Sequence, residues 1–494
     1  MSRTPWQFPS AERPAPAPVQ ERALSSVEAA LQATVELLEE SPVEAITFRA
    51  VRERSGVSSG SLTHHFGSRE GLIAAAQVER FARACHEDSA FLSRLATSVD
   101  AAEPHAEAVI SMVADMFTPR RQRQRWLRMS AVAAAFGDER LAATLREAYT
   151  VLIDATAEYL ATEQHNRLVS EEFDPRAAAL LATMYAQGLV LDDLTGDVAP
   201  PDWRPLQLHL GAAFATGPTV SALHGLAHQE LRAIGAAAGP GSHPRPATDR
   251  TSEVLSDVDQ VRRLILRDAL GADKSQAVGP DAPDASDVPG RFLAAAIDRM
   301  RVHGARGIDV RTLRIAVGLS SGRFYRAFGT RSELVLLART HLAVGHAAAL
   351  VSGLAGAVAS AQSAAELHEA LVTWAIAPPG SDPGRPIWQH TETLAAAATD
   401  PELRARVAAI QRASRDMLIE QVTIAQERGL LTDVFSAPSV ATLLDSIAFW
   451  SLFHSLDAHP PDHDGWARAV ERLISVILPD QARPSGAVRP SSAA

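Results

Sequence analysis

Two stretches of this chain can be laid over one another without a gap. ITFRAVRERSGVSSGSLTHHFGSREGL (Ile46–Leu72) and IDVRTLRIAVGLSSGRFYRAFGTRSEL (Ile308–Leu334) run at a constant offset of 262 residues, as from Gly56 to Gly318. Identical pairs include Ile46/Ile308, Arg49/Arg311, Arg52/Arg314, Ser58/Ser320, Ser59/Ser321, Gly60/Gly322, Phe66/Phe328, Gly67/Gly329, Arg69/Arg331 and Leu72/Leu334. Elsewhere apolar character is kept, as in Val51/Leu313, Val57/Leu319 and Leu62/Phe324. Two Ala-rich helices matched by chance would not hold Gly, Ser, Phe and Arg in one register. An internal repeat of this size constrains the fold more than any bulk property.

The repeated unit can be built from local chemistry. Val27, Leu31, Thr34 and Leu38 put one apolar stripe on a helix before the first copy; Phe292, Ala296, Ile297 and Met300 do so before the second. Thr47 and Asp309 are N-caps for a short second helix. Gly56 and Gly318 stop it where a left-handed residue is needed. Ser58 and Ser320 cap a third helix, Ser59–His65 in one copy and Ser321–Ala327 in the other, ending near Gly67 and Gly329. Ser68 and Thr330 then cap a longer fourth helix, and Thr330 with Glu333 makes a capping box. Two short helices around a tight Gly turn, braced by a first helix, form a helix-turn-helix whose second helix enters the DNA major groove. Phe66 and Phe328 are expected to plug the core between the helices.

The runs G-V-S-S-G-S-L-T-H-H-F-G-S-R-E-G-L and G-L-S-S-G-R-F-Y-R-A-F-G-T-R-S-E-L both resemble the DNA-binding signature of the tetracycline-repressor (TetR) family. The resemblance implies an all-helical regulatory domain after each motif, with a small-molecule pocket and a helical dimer interface. The family usually carries Tyr, a phosphate contact, where Thr63 stands; Tyr325 keeps it. Its His before the Phe is His65 in the first copy and Ala327 in the second, and its usual Lys at the start of the fourth helix is Arg69 and Arg331 here. The expected DNA-binding residues are Thr47, Arg49, Ser59, Ser61, Thr63, His64 and Arg69, with Arg311, Ser321, Arg323, Tyr325, Arg326 and Arg331. Arg323 and Arg326 make the second unit the more basic reader, so the two units are expected to read different sequences.

Composition agrees with an all-α chain. Of its 494 residues 46% are hydrophobic but only 5% aromatic, a profile suited to helix-on-helix packing. The expected order is a flexible arm (1–22), a first helix-turn-helix domain (23–70), a first helical regulatory domain (71–238) and a linker carrying one isolated helix, Val254–Leu270 (239–289). A second helix-turn-helix domain (290–332), a second regulatory domain (333–479) and a flexible tail (480–494) follow. The regulatory helices are placed at Leu72–Ser98, Ala102–Met116, Arg123–Phe136, Asp138–Glu163 and Pro175–Leu194. Their second-half equivalents are Ser332–Leu354, Ala364–Ile376, Pro386–Ala398, Pro401–Gly429 and Ser439–Ser455.

The net charge of −11 argues against a chain coated in nucleic acid, but a local basic face is what decides DNA binding. Lys274 is the only lysine, so the cationic chemistry is that of Arg, whose planar fork suits phosphate and guanine. The single Cys85 excludes an internal disulfide and a cysteine metal cage, and is expected as a small buried hydrophobe. The N-terminus lacks a signal-peptide core, and no uncharged apolar run of about 18 residues is read that would span a membrane. A cytoplasmic location without membrane contact is expected.

Trp126, Met184, Tyr185, Trp374, Trp388, Phe449 and Trp450 either pack the core or line a ligand cavity. Arg120, Arg121, Arg123 and Arg125 are expected as a solvated helix start or a salt-bridge face. Adjacent His64 and His65 face differently on a helix, so no metal and no cofactor is expected. No phosphate loop, nucleophile elbow or H-E-x-x-H occurs, so no enzyme activity is expected. The partners called are double-stranded DNA and a small-molecule effector, with the chain acting as a monomeric pseudo-dimer or a homodimer. The function expected is a transcription regulator, a repressor released by an effector, with two unlike motifs on an asymmetric operator. The alternative is a sensing or protein-interaction module with degenerate motifs.

Overall fold

A computed structural model describes residues 18–40, 46–96, 110–111, 114–115, 118–136, 138–196, 200–238, 255–270, 288–376, 385–447, 456–457, 459 and 461–479. In chain order the helices are α1 (Pro18–Glu40), α2 (Phe48–Ser55), α3 (Ser59–Phe66), α4 (Arg69–Ala96), α5 (Pro119–Ala135), α6 (Glu139–His165) and α7 (Pro175–Gly188). Then come α8 (Val190–Thr195), α9 (Trp203–Phe214), α10 (Gly217–Ala238), α11 (Val258–Leu270), α12 (Val288–His303), α13 (Val310–Val317) and α14 (Ser321–Phe328). The last are α15 (Arg331–Ser360), α16 (Ala364–Ile376), α17 (Arg385–Ala397), α18 (Pro401–Glu427), α19 (Ala437–Ile447) and α20 (His463–Ser475). Among the described residues there is no strand, only an isolated bridge between Val169 and Ala215. The fold is all-α.

Helix boundaries keep the 262-residue offset far beyond the aligned motifs: α6 and α18 are related by it at both ends, and α7 and α19 begin on it. Their caps correspond as well. Asp138 accepts hydrogen bonds from the Arg140 and Leu141 amides, and Asp400 from those of Glu402 and Leu403. At the far end Gln164 donates to the carbonyls of Ser170 and Phe173, while Gln426 donates to those of Thr432 and Phe435. The chain leaves both helices through a left-handed residue, Arg167 at φ 59° and Gly429 at φ 69°.

Related helices also touch one another. α5 packs on α17, α7 on α19, and α9 on α20. Polar contacts also join the two parts of the chain. Arg176 pairs with Asp457 and Asp154. Arg415 meets Asp192 at 2.7 Å, and Ser436 donates its hydroxyl to Asp202 at 2.6 Å. One apolar cluster runs continuously from Val27 to Leu478 through both parts of the chain. A separate cluster around Phe292, Phe324 and Leu334 serves α12–α15 alone.

Several sequence expectations change. The first helix starts at Pro18, inside the segment read as an arm, and residues 1–17 lie outside those described. The stretch Pro175–Leu194 is two helices, α7 and α8, because the chain bends at Leu189. Most of Ala102–Met116 and the end of Ser439–Ser455 lie outside the described residues. The linker helix α11 is not isolated: it packs on α15 and α18 and buries Val261, Ile265 and Leu266. Its strongly amphipathic pattern already required a partner for the apolar side.

The membrane reading also needs correction. Residues 340–365 carry no Asp, Glu, Lys or Arg, and α15 is long and apolar enough by composition to cross a bilayer. Its apolar residues, among them Ala338, Val344, Ala347, Val351 and Val358, are instead buried against neighbouring helices. A helix apolar nearly all round is what the centre of a large bundle requires.

Candidate nucleic-acid interface

In the first unit Thr47 is extended and accepts the Ala50 amide, which starts α2; Gly56 ends it at φ 72°. Ser58 accepts the Ser61 amide and starts α3, and Gly67 ends that helix at φ 75°. The second unit repeats each device: Asp309 accepts from Thr312, Gly318 takes φ 66°, Ser320 accepts from Arg323, and Gly329 takes φ 66°. Thr330 and Glu333 form the reciprocal capping box at the start of α15. The bond from Thr312 holds the Asp309 carboxyl below its usual range.

Each third helix is fixed by one apolar face. Leu62 is fully buried in α3, with Phe66 half-buried below it. Phe324 and Phe328 are buried in α14 and pack on Phe292, with ring centroids 5.4 and 6.2 Å away. The opposite faces point outward. On α3 these are Ser59, Thr63 and His64, with Ser61 half-buried; on α14 they are Ser321, Arg323, Tyr325 and Arg326. Tyr325 leaves 56% of its surface exposed, unusual for an aromatic that is not packing a core. Burial, and then the neighbouring His64, lowers the His65 pKa. No group of three metal-ligating side chains occurs among the described residues.

The arginines divide into two kinds. Arg323, Arg326 and Arg311 are exposed on the second unit, and Arg49 is exposed on the first, bonded at 2.8 Å to Glu53 one turn on. Arg54 turns the other way, to Glu40 at 2.7 Å. Arg69 and Arg331, expected to touch phosphate, are engaged within the protein. Arg69 donates to the Ile46 carbonyl, and Arg331 donates to those of Ile308 at 2.7 Å and Ala305 at 2.8 Å. Each guanidinium thus ties the start of the fourth helix to the chain entering the second, a bond that neighbouring sequence could not reveal. Sequence reasoning also missed Ile315, 66% exposed on α13 where the first unit has Glu53.

The residues read as pocket candidates are scattered through the structure. Met184 and Tyr185 are buried in the core, Tyr185 against Trp203 with centroids 5.7 Å apart. Trp126 lies under the Arg404 guanidinium, 5.6 Å from its ring centre. Trp374 borders a void of only about 20 Å³. The side chains of Trp388, Phe449 and Trp450 lie outside the described residues. Trp126 does line a groove of about 980 Å³ bordered by α1, α4 and α5. A smaller cavity, of about 740 Å³, lies between α4, α5, α6 and α7 and is lined by none of these residues. The Arg-rich start of α5 forms its polar wall. Arg121 pairs with Asp88 at 2.9 Å and Asp115 at 2.6 Å, Arg125 holds Asp193 through two bonds, and Arg128 reaches Asp88 at 3.1 Å.

Residues 30–76, which cover the second half of α1, all of α2 and α3 and the start of α4, match the family described as bacterial regulatory proteins, tetR family. Among curated proteins none matches the chain. The family match supports a DNA-binding transcription regulator of this type.

Proposed function

We propose, from the premise that residues 30–76 form a tetR-family DNA-binding domain, that the whole chain is a single-chain pseudo-dimer. The part from α12 onward is then a second, diverged unit, whose helix α14 reads a different half-site from α3. The observation that carries this reading is that α5, α7 and α9 each pack on the helix 262 residues further on, with boundaries matching within four residues. A two-fold interface sets an element against its own copy, so contacts of this kind are expected of fused subunits. The chain would be a cytoplasmic binding protein rather than a catalyst. It would act as a repressor released when a small molecule occupies the regulatory part.

Exposed Ser59, Thr63 and His64 would give the first unit short-range groove contacts. Arg323, Arg326 and Tyr325 would give the second unit charged and phosphate contacts. An asymmetric operator follows, its half-sites about one helical turn or a multiple apart.

Sedimentation of the purified chain, alone and with fragments of its own promoter, tests the reading. A monomer that forms a one-chain complex, weakening steeply with salt, is the expected result. A complex holding two chains would replace it with a four-motif dimer. No complex on any fragment would favour a sensing or interaction module with degenerate motifs.

A further inference from the structure

The two helix-turn-helix units occupy matching places in the repeat but carry opposite charge. Residues 27–72 hold four arginines against seven carboxylates, whereas residues 289–334 hold nine arginines against three. The chain as a whole is acidic, at −11, so the second unit is a local exception.

In the first unit the arginines are neutralised by neighbouring carboxylates. Arg49 meets Glu53 at 2.8 Å, and Arg54 meets Glu40 at 2.7 Å and Glu36 at 3.5 Å. Arg69 reaches Glu70 at 3.4 Å, and the charge of Arg52 acts on the same Glu53. Moving 262 residues on, Glu40, Glu53 and Glu70 become Val302, Ile315 and Ser332, and Arg54 becomes Ala316. Val302 and Ile315 stay 44% and 66% exposed, so burial is not what replaced the carboxylates.

The second unit is left with open arginines. The side chains of Arg311, Arg314, Arg323 and Arg326 make no hydrogen bond or ion pair to a described residue, and all but the half-buried Arg314 are exposed. Asp309 feels the Arg311 charge, yet its Oδ2 is taken by the Thr312 amide and hydroxyl at 2.8 and 2.7 Å. An arginine without a carboxylate partner can meet a phosphate directly, through its planar fork. One that is already paired must first give up its carboxylate. Attraction to phosphate takes no account of sequence, and each contact adds about 0.9 to the salt slope of binding. The outward side chains of α3, Ser59, Thr63 and His64, act instead at short range, where the bases decide.

We propose that the second unit alone holds the chain on DNA of arbitrary sequence, through Arg311, Arg314, Arg323 and Arg326. The first unit, with its self-paired arginines, joins only where its own half-site follows. The proposal deepens the pseudo-dimer reading above and rests on it for the second unit's contact with DNA. Searching along DNA and selecting a site are thereby divided between the two parts of one chain, which identical subunits cannot do.

Hydrogen exchange of the full chain, bound to a random-sequence duplex and to fragments of its own promoter, tests it. On the random duplex protection is expected over α13 and α14 but not over α2 and α3; on the promoter fragment it covers both units. Arg323→Ala combined with Arg326→Ala weakens binding to the random duplex at least tenfold and lowers its salt slope by about two units. Val302→Glu combined with Ile315→Glu, which restores the first unit's carboxylates, weakens it at least threefold at an unchanged melting temperature. Protection of α3 on the random duplex, no binding to that duplex, or undiminished binding by either double variant would each overturn the proposal. A promoter complex that protects α2 and α3 alone would overturn it too, leaving a regulator with one working motif. No complex with either DNA would instead remove the DNA-binding reading itself.

Discussion

Gly188 of α7 crosses Ser446 of α19 so closely that a methyl group on its Cα would lie 2.7 Å from the Ser446 Cα. The intruded atom is backbone, so relief would require the two helices to move apart. Gly188→Val is expected to destabilise the chain by about 1–3 kcal/mol, the usual cost of overpacking a well-filled interior. Thermal unfolding checks this, and an unchanged midpoint would mean that the crossing yields easily.

The exposed arginines of α14 carry a second expectation. Arg323→Ala and Arg326→Ala should each weaken DNA binding and flatten its salt dependence by about one unit of slope if the side chain meets phosphate. A loss confined to one base pair of the site would identify a base contact instead. Titrations at several salt concentrations separate the two, and no change in either variant would remove α14 from the interface.

Arg331 is expected to behave differently from Arg323. Its bonds to the Ile308 and Ala305 carbonyls fix the geometry of the second unit, so Arg331→Ala should cost stability, on the order of 1–3 kcal/mol. The loss should fall on α12–α15, which share a core of their own. Hydrogen exchange localises it, and full stability with lost DNA affinity would return Arg331 to the phosphate-contacting set.

A pH dependence follows from the meeting of α8, α18 and α19. Asp445 is buried beside Arg415 and Gln411, and burial raises its carboxyl to about 6, with Asp192 adding to the rise. The folded state therefore holds this proton more tightly than the unfolded chain. The resulting stability is complete below about pH 4 and is lost as pH rises through 6. Asp445→Asn mimics the protonated form at every pH. The variant should match the parent near pH 4 and exceed it above pH 7, by on the order of 3 kcal/mol. Denaturant unfolding of both proteins across this range is the check, and a pH-independent difference would rule out Asp445 as the source.

The short helices α2, α3, α13 and α14 were legible in the sequence because each rests on local chemistry. Thr47, Ser58, Asp309 and Ser320 cap helices within three residues of themselves, and Gly56 and Gly318 end them by backbone conformation. The further reach of the repeat was harder to see. Asp138/Asp400 and Gln164/Gln426 keep it, but they stand alone among Ala and Leu that match any helix. Arg167 and Gly429 share a left-handed conformation without sharing a residue type. The cavity was illegible for another reason. Large aromatics were the natural candidates for its lining, whereas its described walls are arginines of α5, such as Arg121, Arg125 and Arg128, and smaller residues such as Thr156 and Ala182. The place of α11 depends on long-range packing that its own seventeen-residue neighbourhood, Val254–Leu270, does not contain.

The unlikeness of α3 and α14 has one more consequence on the proposed reading. A homodimer on a palindrome looks the same from either end and cannot register which gene lies on its left. A chain that joins a Ser/Thr/His surface to an Arg/Tyr surface can sit on its site in one sense only. Anything attached to one part of it then lies upstream or downstream by construction. Such a regulator could treat two divergent promoters unequally while binding once between them.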